Sequence, residues 1–272
     1  MLANGQRYFS RSLTMVVCAF NEEELIEEFF DKSVRDLSNV CQDWEIILIN
    51  DGSTDRTSEL AHRFARNYPQ IRIFDQKVNR GPGGCIQLGF YNASKDYVFH
   101  NTVDMFFNTE DLSWVLPHLD KYESLSGYRS DLKANNPYQK LLTVCNRGLI
   151  RTLFPLKLRA YQTVQFHPRS LFEQIRIEGR SSFVAAELLI KAFYLGHRIG
   201  EIEVVFHPRT KGTAKGGGLK HVFRSMKDIW KFWFLWVVLK RPIANPWGAN
   251  RPKSLRAPES SATAGKSAAR IA

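Results

Sequence analysis

The sequence contains no apolar run of about 18 residues, which is the length that a helix needs to cross a bilayer. Residues 1–12, which we treat as an N-terminal extension, also lack the apolar core of a secretory signal. We therefore expect no ordinary transmembrane helix, and a cytoplasmic location follows as the default.

Cysteine is scarce as well. The four cysteines, Cys18, Cys41, Cys85 and Cys145, show neither the spacing of metal ligands nor a paired pattern. Cys18 and Cys85 lie in apolar surroundings. We predict reduced thiols that act as small core residues, because a disulfide framework needs both pairing and an oxidising compartment.

Acidic residues are outnumbered by basic ones: 27 Asp and Glu against 38 Lys and Arg, which makes the formal net charge +11. The excess lies mainly in 205–231 and in the C-terminal tail. Such a charge suits a nucleic acid, an anionic membrane surface or a phosphorylated substrate. Because the basic residues are not interleaved along an aromatic platform, we expect no nucleic-acid partner.

The nearest approach to a membrane segment is the aromatic-rich stretch 229–240, which contains three Trp and two Phe. Its apolar core, Phe232 to Leu239, is too short to span a bilayer. The stretch indicates either a helix that lies in a bilayer interface or packs on a partner, or a buried amphipathic helix of the domain. We assign 219–248 to a C-terminal aromatic helical segment. The remainder, 249–272, has no aromatic residue, and we predict that it is a disordered tail.

Apolar runs rich in β-formers alternate with helical patterns in the first half of the chain. The predicted strands are 13–20, 44–50, 71–76 and 96–101. Helices of the length that crossover connections need separate them. This alternation predicts an α/β fold: a doubly wound, mostly parallel sheet with helices on both faces.

Polar residues follow each of these strands where it ends. They are Asn21 and Glu22, then Asp51, then Asn79 and Gly81, then Asp104. In such sheets ligands bind at the carboxyl ends of the strands. The four polar strand ends therefore predict one binding cleft.

The second half of the chain is less regular. Residues 136–155 have a helical pattern, and 159–175 suggest a strand followed by a helix. A helix that ends at Gly196 and a strand over 198–209 follow. A glycine-rich basic loop comes next.

Together these segments resemble the family 2 inverting glycosyltransferases with the GT-A fold, and among them the polyprenyl-phosphate sugar transferases. The motifs that carry the resemblance are VVCAFNEEE, INDGSTDRT, NRGPGGCIQLGF, AAELLIKAFYLGHRIGEIEVVFHPR and GTAKGG. The resemblance covers residues 13–218, which we take as the transferase domain. It implies a nucleotide-sugar donor and a divalent metal ion, Mg²⁺ or Mn²⁺.

The resemblance also implies roles for residues on the donor side. Asn21 and Glu22 would border the nucleoside, and Asp51 would hold the base or the ribose. A carboxylate at a strand end can accept hydrogen bonds from ribose hydroxyls or base N–H groups. From the residues alone, Asp51 could equally belong to a capping turn and Glu22 to a solvated helix start. Gly81 would allow the donor to approach the backbone closely, or would simply form a turn.

Two cations of the glycine-rich loop, Arg209 and Lys215, match the family's loop residues that close over the phosphates. Cations on such a loop neutralise charge as a diphosphate departs. The alternative is an exposed loop with solvated lysines. Glu187 matches an acidic position of the family, and is otherwise an exposed glutamate on its helix.

The family's Asp-x-Asp motif reads here as Thr102-Val103-Asp104. The resemblance makes Asp104 the metal ligand, since the second Asp of the motif makes the direct contact. Thr102 would offer a hydroxyl in place of a carboxylate. The loss of one negative charge predicts weaker metal binding, which the donor diphosphate can offset by contributing ligands.

The family's acceptor-side Asp corresponds to Arg159, and no Asp or Glu lies between Asp131 and Glu173. Transfer to a sugar hydroxyl needs a general base, whereas a polyprenyl phosphate is already ionised. A cation at this position suits a phosphate-bearing acceptor. A surface arginine without a role is the alternative.

We therefore expect an inverting hexosyltransferase that acts on a lipid phosphate, peripheral at the cytosolic face of a membrane and helped by a membrane partner protein. Thr102 and Arg159 leave two alternatives open. The first is a catalytically impaired nucleotide-sugar-binding or regulatory homologue. The second is a soluble transferase for a polysaccharide or small-molecule acceptor.

Overall fold

The computed structural model describes residues 9–104, 107–129, 137–205 and 219–244. Its centre is one seven-stranded sheet. The strands are β1 Leu13–Ala19, β2 Trp44–Asn50, β3 Ile71–Asp75, β4 Tyr97–Thr102, β5 Ser124–Tyr128, β6 Gln165–Pro168 and β7 Ile199–Glu203.

The strand order is β3-β2-β1-β4-β6-β5-β7. β3, β2, β1 and β4 are parallel, β6 runs antiparallel to both of its neighbours, and β5 and β7 are parallel to each other. β5 therefore runs in the same direction as β4. The carboxyl ends of six strands lie along one edge, where the amino end of β6 joins them.

Helices cover both faces of this sheet. They are α1 Ile26–Val40, α2 Thr57–Ala65, α3 Gly81–Asn92, α4 Leu112–Val115, α5 Pro137–Leu153, α6 Leu171–Gln174, α7 Phe183–Tyr194 and α8 Leu219–Trp233. One apolar core packs α1 against the sheet, and a second packs α3 and α7 against the opposite face. Alternate residues of β1, such as Met15 and Val16, enter different cores because side chains alternate along a strand. The predicted doubly wound α/β fold is confirmed.

Two details differ from the prediction. No strand was predicted at β5, because Ser124–Tyr128 (SLSGY) is short and has only one large aliphatic residue. It is buried because β6 and β7 pair with it on either side. The prediction of core thiols also fails in part: Cys41 and Cys85 are buried, but Cys145 is exposed on α5 and Cys18 is half-buried.

The C-terminal helix carries apolar side chains on its inner side, which faces the core, and on its outer side, which faces solvent. α8 continues into a π-helical turn, Phe234–Val238. Ile229, Phe232 and Trp236 are buried in a third core against α5 and α7. Further apolar side chains on the outer side are exposed: Phe223, Met226, Trp230, Phe234, Val238 and Leu239. Within the described residues no helix is long and apolar enough to cross a membrane.

Candidate active site

Two loops at the carboxyl edge of the sheet are joined by hydrogen bonds between motifs far apart in sequence. The side-chain oxygen of Asn21 accepts from Thr54 N at 2.8 Å, and Asn21 N donates to Ser53 Oγ at 2.9 Å. Glu22 N donates to Thr57 Oγ1 at 2.7 Å. Asn21 has φ of 55°, a left-handed conformation that asparagine tolerates better than most residues. The loop after β1 is thereby held against the start of α2.

Asp51 connects the end of β2 to the start of α3. The residue is 4% exposed. Its Oδ1 accepts from Arg80 N at 2.7 Å and its Oδ2 accepts from Gly81 N at 2.9 Å. A carboxylate at a helix N-terminus satisfies amides that have no partner within the helix and interacts favourably with the helix dipole.

Asn79 and Gly81 form the turn into α3. Asn79 is exposed, and its side-chain oxygen accepts from Gly81 N at 3.1 Å. Gly81 has φ of 73°, which explains the glycine. A Cβ built on Gly81 would meet no atom within 4 Å, so space is open beside the turn.

Thr102 and Asp104 follow β4 at the same edge. The Thr102 hydroxyl donates to Asp104 Oδ1. Buried Asn101 orders the turn beneath them, because its side chain accepts from Thr102 N at 3.0 Å and donates to Phe107 O at 2.9 Å. Register pairs Thr102 with Cys18 of β1, so Asp104 emerges beside the Asn21 loop.

The fit of this turn to a divalent cation depends on its donor set. It offers one carboxylate, on Asp104, with the Thr102 oxygen as its neighbour. In the described part of the chain no three His, Cys, Asp or Glu side chains converge as a metal cage would require. Mg²⁺ and Mn²⁺ in nucleotide sites use one or two carboxylates together with substrate phosphates. The donor set fits a cation that is bound jointly with a diphosphate.

Arg159 lies at the other end of the same edge. Its guanidinium carbon is 4.5 Å from the centroid of the Tyr128 ring, at the end of β5. Arg159 N donates to Glu201 Oε1 at 2.6 Å. Arg147 of α5 donates to Arg159 O at 3.3 Å. Cation–π stacking holds the exposed Arg159 guanidinium over the Tyr128 ring at this end of the edge.

Two acidic residues of β7 also reach this region, and no motif in the sequence points to them. Glu201 and Glu203 are exposed. Glu203 is in register with Tyr128. The strand 198–209 was predicted, but its place beside β5 was not, because β5 was missed.

Glu187 lies in a buried ionic cluster on α7. It is fully buried on α7 and accepts from Glu178 N at 2.8 Å and Gly179 N at 2.7 Å. Lys191 Nζ donates to it at 2.7 Å and also lies 3.1 Å from Glu178 Oε2. Burial raises the pKa of Glu187, although Lys191 and the two amides oppose this shift. The alternative of an exposed helix glutamate is wrong, and contact with a substrate stays a prediction.

The segment 175–181, which we call the connector, links this cluster to the donor half of the site. Gly83 of α3 packs so closely on it that a Cβ would lie 2.6 Å from the Arg180 carbonyl. Ser181 Oγ on the connector donates to Asp228 Oδ2 of α8 at 2.6 Å. The connector therefore joins the first turn of α3 to α8.

The structure thus brings most predicted site residues to one edge of the sheet. These are Asn21, Glu22, Asp51, Asn79, Gly81, Thr102, Asp104 and Arg159. Arg209 and Lys215 lie outside the described residues.

A doubly wound sheet with polar site residues along its carboxyl edge is the architecture of GT-A nucleotide-sugar transferases. The family model for glycosyl transferase family 2 matches residues 14–175. The chain belongs to this family and is a glycosyltransferase.

Characterised relatives cover different shares of the chain. Dodecaprenyl-phosphate galacturonate synthase of Rhizobium johnstonii is 26% identical over 238 residues, which are 86% of this chain and 70% of that protein. Dolichyl-phosphate beta-glucosyltransferase of Saccharomyces cerevisiae is 29% identical over 131 residues, which are 46% of this chain and 38% of that protein.

Solved structures share the fold. Glucosyl-3-phosphoglycerate synthase of Mycobacterium tuberculosis, in complex with Mn²⁺, UDP and phosphoglyceric acid, has a TM-score of 0.60 at 18% identity. The match covers 83% of this chain and 78% of that one. A mannosyltransferase of Pyrobaculum calidifontis with GDP-mannose and Mn²⁺ has a TM-score of 0.58 at 16% identity, covering 88% and 68%.

Proposed function

We propose that this glycosyltransferase moves a hexose from a nucleotide-sugar to a polyprenyl phosphate with inversion at the anomeric carbon. The observation that carries the proposal is the arrangement of one edge of the sheet. Its donor half has an acidic turn suited to a metal-bound diphosphate, and its other half has two arginines, Arg147 and Arg159. The names of the relatives, several of which are polyprenyl-phosphate transferases, support the same acceptor class.

The donor half would bind the nucleoside between the loops that carry Asn21, Glu22 and Asp51. Two of the roughly four acceptor positions of the Asp51 carboxylate are used by the amides of Arg80 and Gly81, and a further position would accept a hydrogen bond from a ribose hydroxyl or a base N–H. The open space beside Gly81 suits a close approach of the donor to the backbone.

Asp104 would hold Mg²⁺ or Mn²⁺ together with the donor diphosphate, and Thr102 would contribute its hydroxyl oxygen. When bound, such a cation neutralises the negative charge that develops on the departing nucleoside diphosphate. Arg209 and Lys215 would add positive charge to the same leaving group.

The acceptor half would orient a phosphate monoester with Arg159 and Arg147. An ionised phosphate oxygen can attack the anomeric carbon directly, so no side chain needs to remove a proton. Arginine suits this task because its planar guanidinium makes paired hydrogen bonds to phosphate oxygens. The exposed β7 carboxylates would then be bystanders.

The outer side of α8 would lie on the membrane that holds the acceptor. Trp230 and Phe234 are about half exposed, and Arg224, Lys227 and Lys231 are exposed on the same helix. Aromatic side chains with basic neighbours favour the interface of an anionic bilayer. A membrane partner protein would be needed only if this surface binds too weakly.

A two-stage assay tests the proposal. In the first stage, a thermal-shift screen of UDP- and GDP-sugars with and without Mn²⁺ should give a metal-dependent stabilisation with one donor. In the second stage, that donor in radiolabelled form should yield a glycosylated short-chain polyprenyl phosphate. Transfer to a soluble saccharide with none to the lipid phosphate would contradict the acceptor class. Donor binding without any turnover would favour the impaired homologue, to which Thr102 and Arg159 point.

A further inference from the structure

The connector runs along α3 on its way from α6 to α7 and belongs to none of the helices or strands. Three residues of α3 contact it: Gly83, Gln87 and Tyr91, which are spaced four residues apart and therefore lie on one face of the helix. Ile177 of the connector contacts Gln87 and Tyr91, whereas Arg180 contacts Gly83. The connector thus passes from the last turn of α3 back to the first.

The Tyr91 hydroxyl holds the connector at two backbone positions. It accepts a hydrogen bond from Ile177 N at 2.7 Å and donates one to Ile175 O at 3.3 Å. Gln87 Nε2 donates to Ile177 O at 2.6 Å. Tyr91, Ile175 and Ile177 are all buried. A buried irregular segment needs partners for its backbone N–H and C=O groups, and the side chains of α3 supply them.

α7 holds the same segment through a second set of contacts. Glu187 accepts hydrogen bonds from Glu178 N and Gly179 N, and Lys191 donates to Arg176 O. A Cβ built on Gly179 would lie 2.7 Å from Glu187 Oε2, so the carboxylate packs directly against a glycine. The connector is therefore fixed to α3 and to α7 along most of its length.

The far end of the connector packs on the turn that holds a proposed donor-binding residue. A Cβ built on Gly83 would lie 2.6 Å from both the carbonyl carbon and the carbonyl oxygen of Arg180. The two backbones thus pack against each other with no side chain between them to absorb a shift. At the start of the same helix, Arg80 N and Gly81 N donate to the Asp51 carboxylate. A displacement of the connector is therefore passed on to the amides that hold Asp51.

We propose that Tyr91 is a positioning residue for the donor site. Its hydroxyl sets the path of the connector, the connector supports the first turn of α3, and that turn holds Asp51 for the nucleotide. Because Tyr91 is buried in the last turn of α3, it acts through the connector and not by contact with the donor. The effect on nucleotide binding rests on the proposed function, whereas the coupling of the connector to the first turn does not.

The test compares two tyrosine hydroxyls. Tyr91→Phe removes the hydroxyl and keeps the ring in the core. Tyr161→Phe is the matched control, because Tyr161 is equally buried and its hydroxyl also accepts from one backbone amide, Leu158 N at 3.1 Å, and donates to one carbonyl, Leu156 O at 2.6 Å. Both variants should lower Tm by a similar few degrees, since each loses the same two kinds of hydrogen bond.

Calorimetric titration with UDP and with GDP, each in the presence of Mn²⁺, measures nucleotide affinity at a temperature at which the variants are folded. For the nucleotide that the wild type binds, Tyr91→Phe should raise Kd about fivefold, and Tyr161→Phe should leave Kd unchanged. An unchanged Kd in Tyr91→Phe, or an equal rise in both variants, would overturn the proposal. If Tyr91→Phe does not fold, Gln87→Met takes its place under the same criteria, because it removes one connector hydrogen bond from a half-buried side chain.

Hydrogen exchange followed by mass spectrometry measures the coupling without any nucleotide. Tyr91→Phe should speed amide exchange in the connector and also in residues 80–86, whereas Tyr161→Phe should speed it in neither segment. If the wild type binds neither UDP nor GDP, the proposed function is contradicted, and the exchange rates alone decide the coupling. Faster exchange that is confined to the connector would show that the connector does not support the first turn of α3, and it would overturn the proposal.

Discussion

The Asp51 carboxylate accepts a hydrogen bond from Gly81 N at 2.9 Å, across a gap of 30 residues in the sequence. This contact joins the end of β2 to the beginning of α3, where the helix dipole favours an anion. A residue expected to bind substrate therefore also builds the site. Both tasks depend on the same negative charge, so they can be separated only by experiment.

Asp51→Asn should weaken both the fold and donor binding. An amide has one acceptor oxygen where the carboxylate has two. Either Arg80 N would lose its partner, at a cost of about 1–3 kcal/mol, or Gly81 N would keep only its hydrogen bond to Asn79. Urea unfolding and donor titration measure the two effects. Asp75→Asn is the matched control, because Asp75 accepts hydrogen bonds from Asn50 and Ser58 without touching α3. Asp51→Asn with unchanged stability and donor affinity would show that this contact is dispensable.

Thr102→Asp should strengthen metal binding in the presence of UDP. A second carboxylate about 4 Å from a divalent ion contributes about 2 kcal/mol in a water-like dielectric, which corresponds to more than tenfold in affinity. Calorimetric titration with Mn²⁺ measures the change. Asp104→Asn should abolish the binding. If Thr102→Asp leaves Mn²⁺ affinity untouched, residues 102–104 are not the metal motif.

Glu203→Gln should leave kcat/KM for a polyprenyl phosphate within about twofold, because an ionised acceptor needs no general base. Glu201→Gln is a companion change, expected to act only through the Arg159 backbone N–H. A loss of about a hundredfold with either variant would identify a general base. That result would move the acceptor class to hydroxyl compounds.

Arg159→Gln should raise KM for the polyprenyl phosphate and leave the donor Kd unchanged. The substitution keeps a polar side chain but removes the charge that would pair with phosphate. Steady-state kinetics with the acceptor varied, together with donor titration, measure the two effects. Arg151→Gln, a nearby exposed arginine on α5, is the control and should have little effect. Equal KM in wild type and Arg159→Gln would remove this residue from the acceptor site.

A double change on the outer side of α8, Trp230→Glu with Phe234→Glu, should abolish retention on anionic phospholipid vesicles. The free energy of unfolding should change much less than for an inner residue, because both side chains are already about half exposed. Flotation on anionic and neutral vesicles, with circular dichroism melts, measures both properties. Phe232→Ala on the inner side should instead destabilise the protein by about 3–5 kcal/mol. Retention of the outer double variant on vesicles would contradict membrane docking through α8.

Acid should destabilise the fold through His167. Burial, with a smaller contribution from His197, lowers the pKa of His167 to about 3. Between pH 3 and about pH 6.5, His167 takes up a proton in the unfolded chain but not in the folded protein. Its contribution to the free energy of unfolding is therefore fully present above about pH 6.5 and is lost as the pH falls. The expected loss from this group is about 1.4 kcal/mol per pH unit. Urea unfolding from pH 7 to 4.5 measures it, and His167→Gln should flatten the dependence. An unchanged slope in that variant would mean that other groups cause it.

The prediction from sequence was most successful where local pattern and tertiary environment agree. β1 and β2 are continuous apolar runs because both faces of a central parallel strand are buried, and this pattern is visible in a single sequence. The strand ends then place Asn21, Asp51 and Asp104 along one edge, which follows from parallel pairing alone. β5 was missed because SLSGY has no such pattern, and its burial depends on its neighbours.

Side-chain environments were harder to predict. Contact of Glu187 with a substrate stays a prediction, but the alternative of an exposed glutamate is wrong. Glu187 lies in a buried cluster with Lys191, since both residues share one side of α7. For the aromatic stretch 229–240, the sequence left open a helix at a bilayer interface or on a partner and a buried helix of the domain. In the structure, the helix presents apolar side chains both to the core and to solvent. Periodicity predicts an apolar face of a helix, whereas the number of elements that cover it depends on the packing.

The sequence by itself determined the family, the parallel half of the sheet and the edge at which the site lies, because each rests on local patterns and motifs. Only the tertiary structure decided that Asp51 holds the start of α3, that Arg159 stacks on Tyr128, and that Cys18 lies beside His100. These contacts join residues from separate elements. Their distances depend on how helices and strands pack, and no local pattern in the chain encodes those distances.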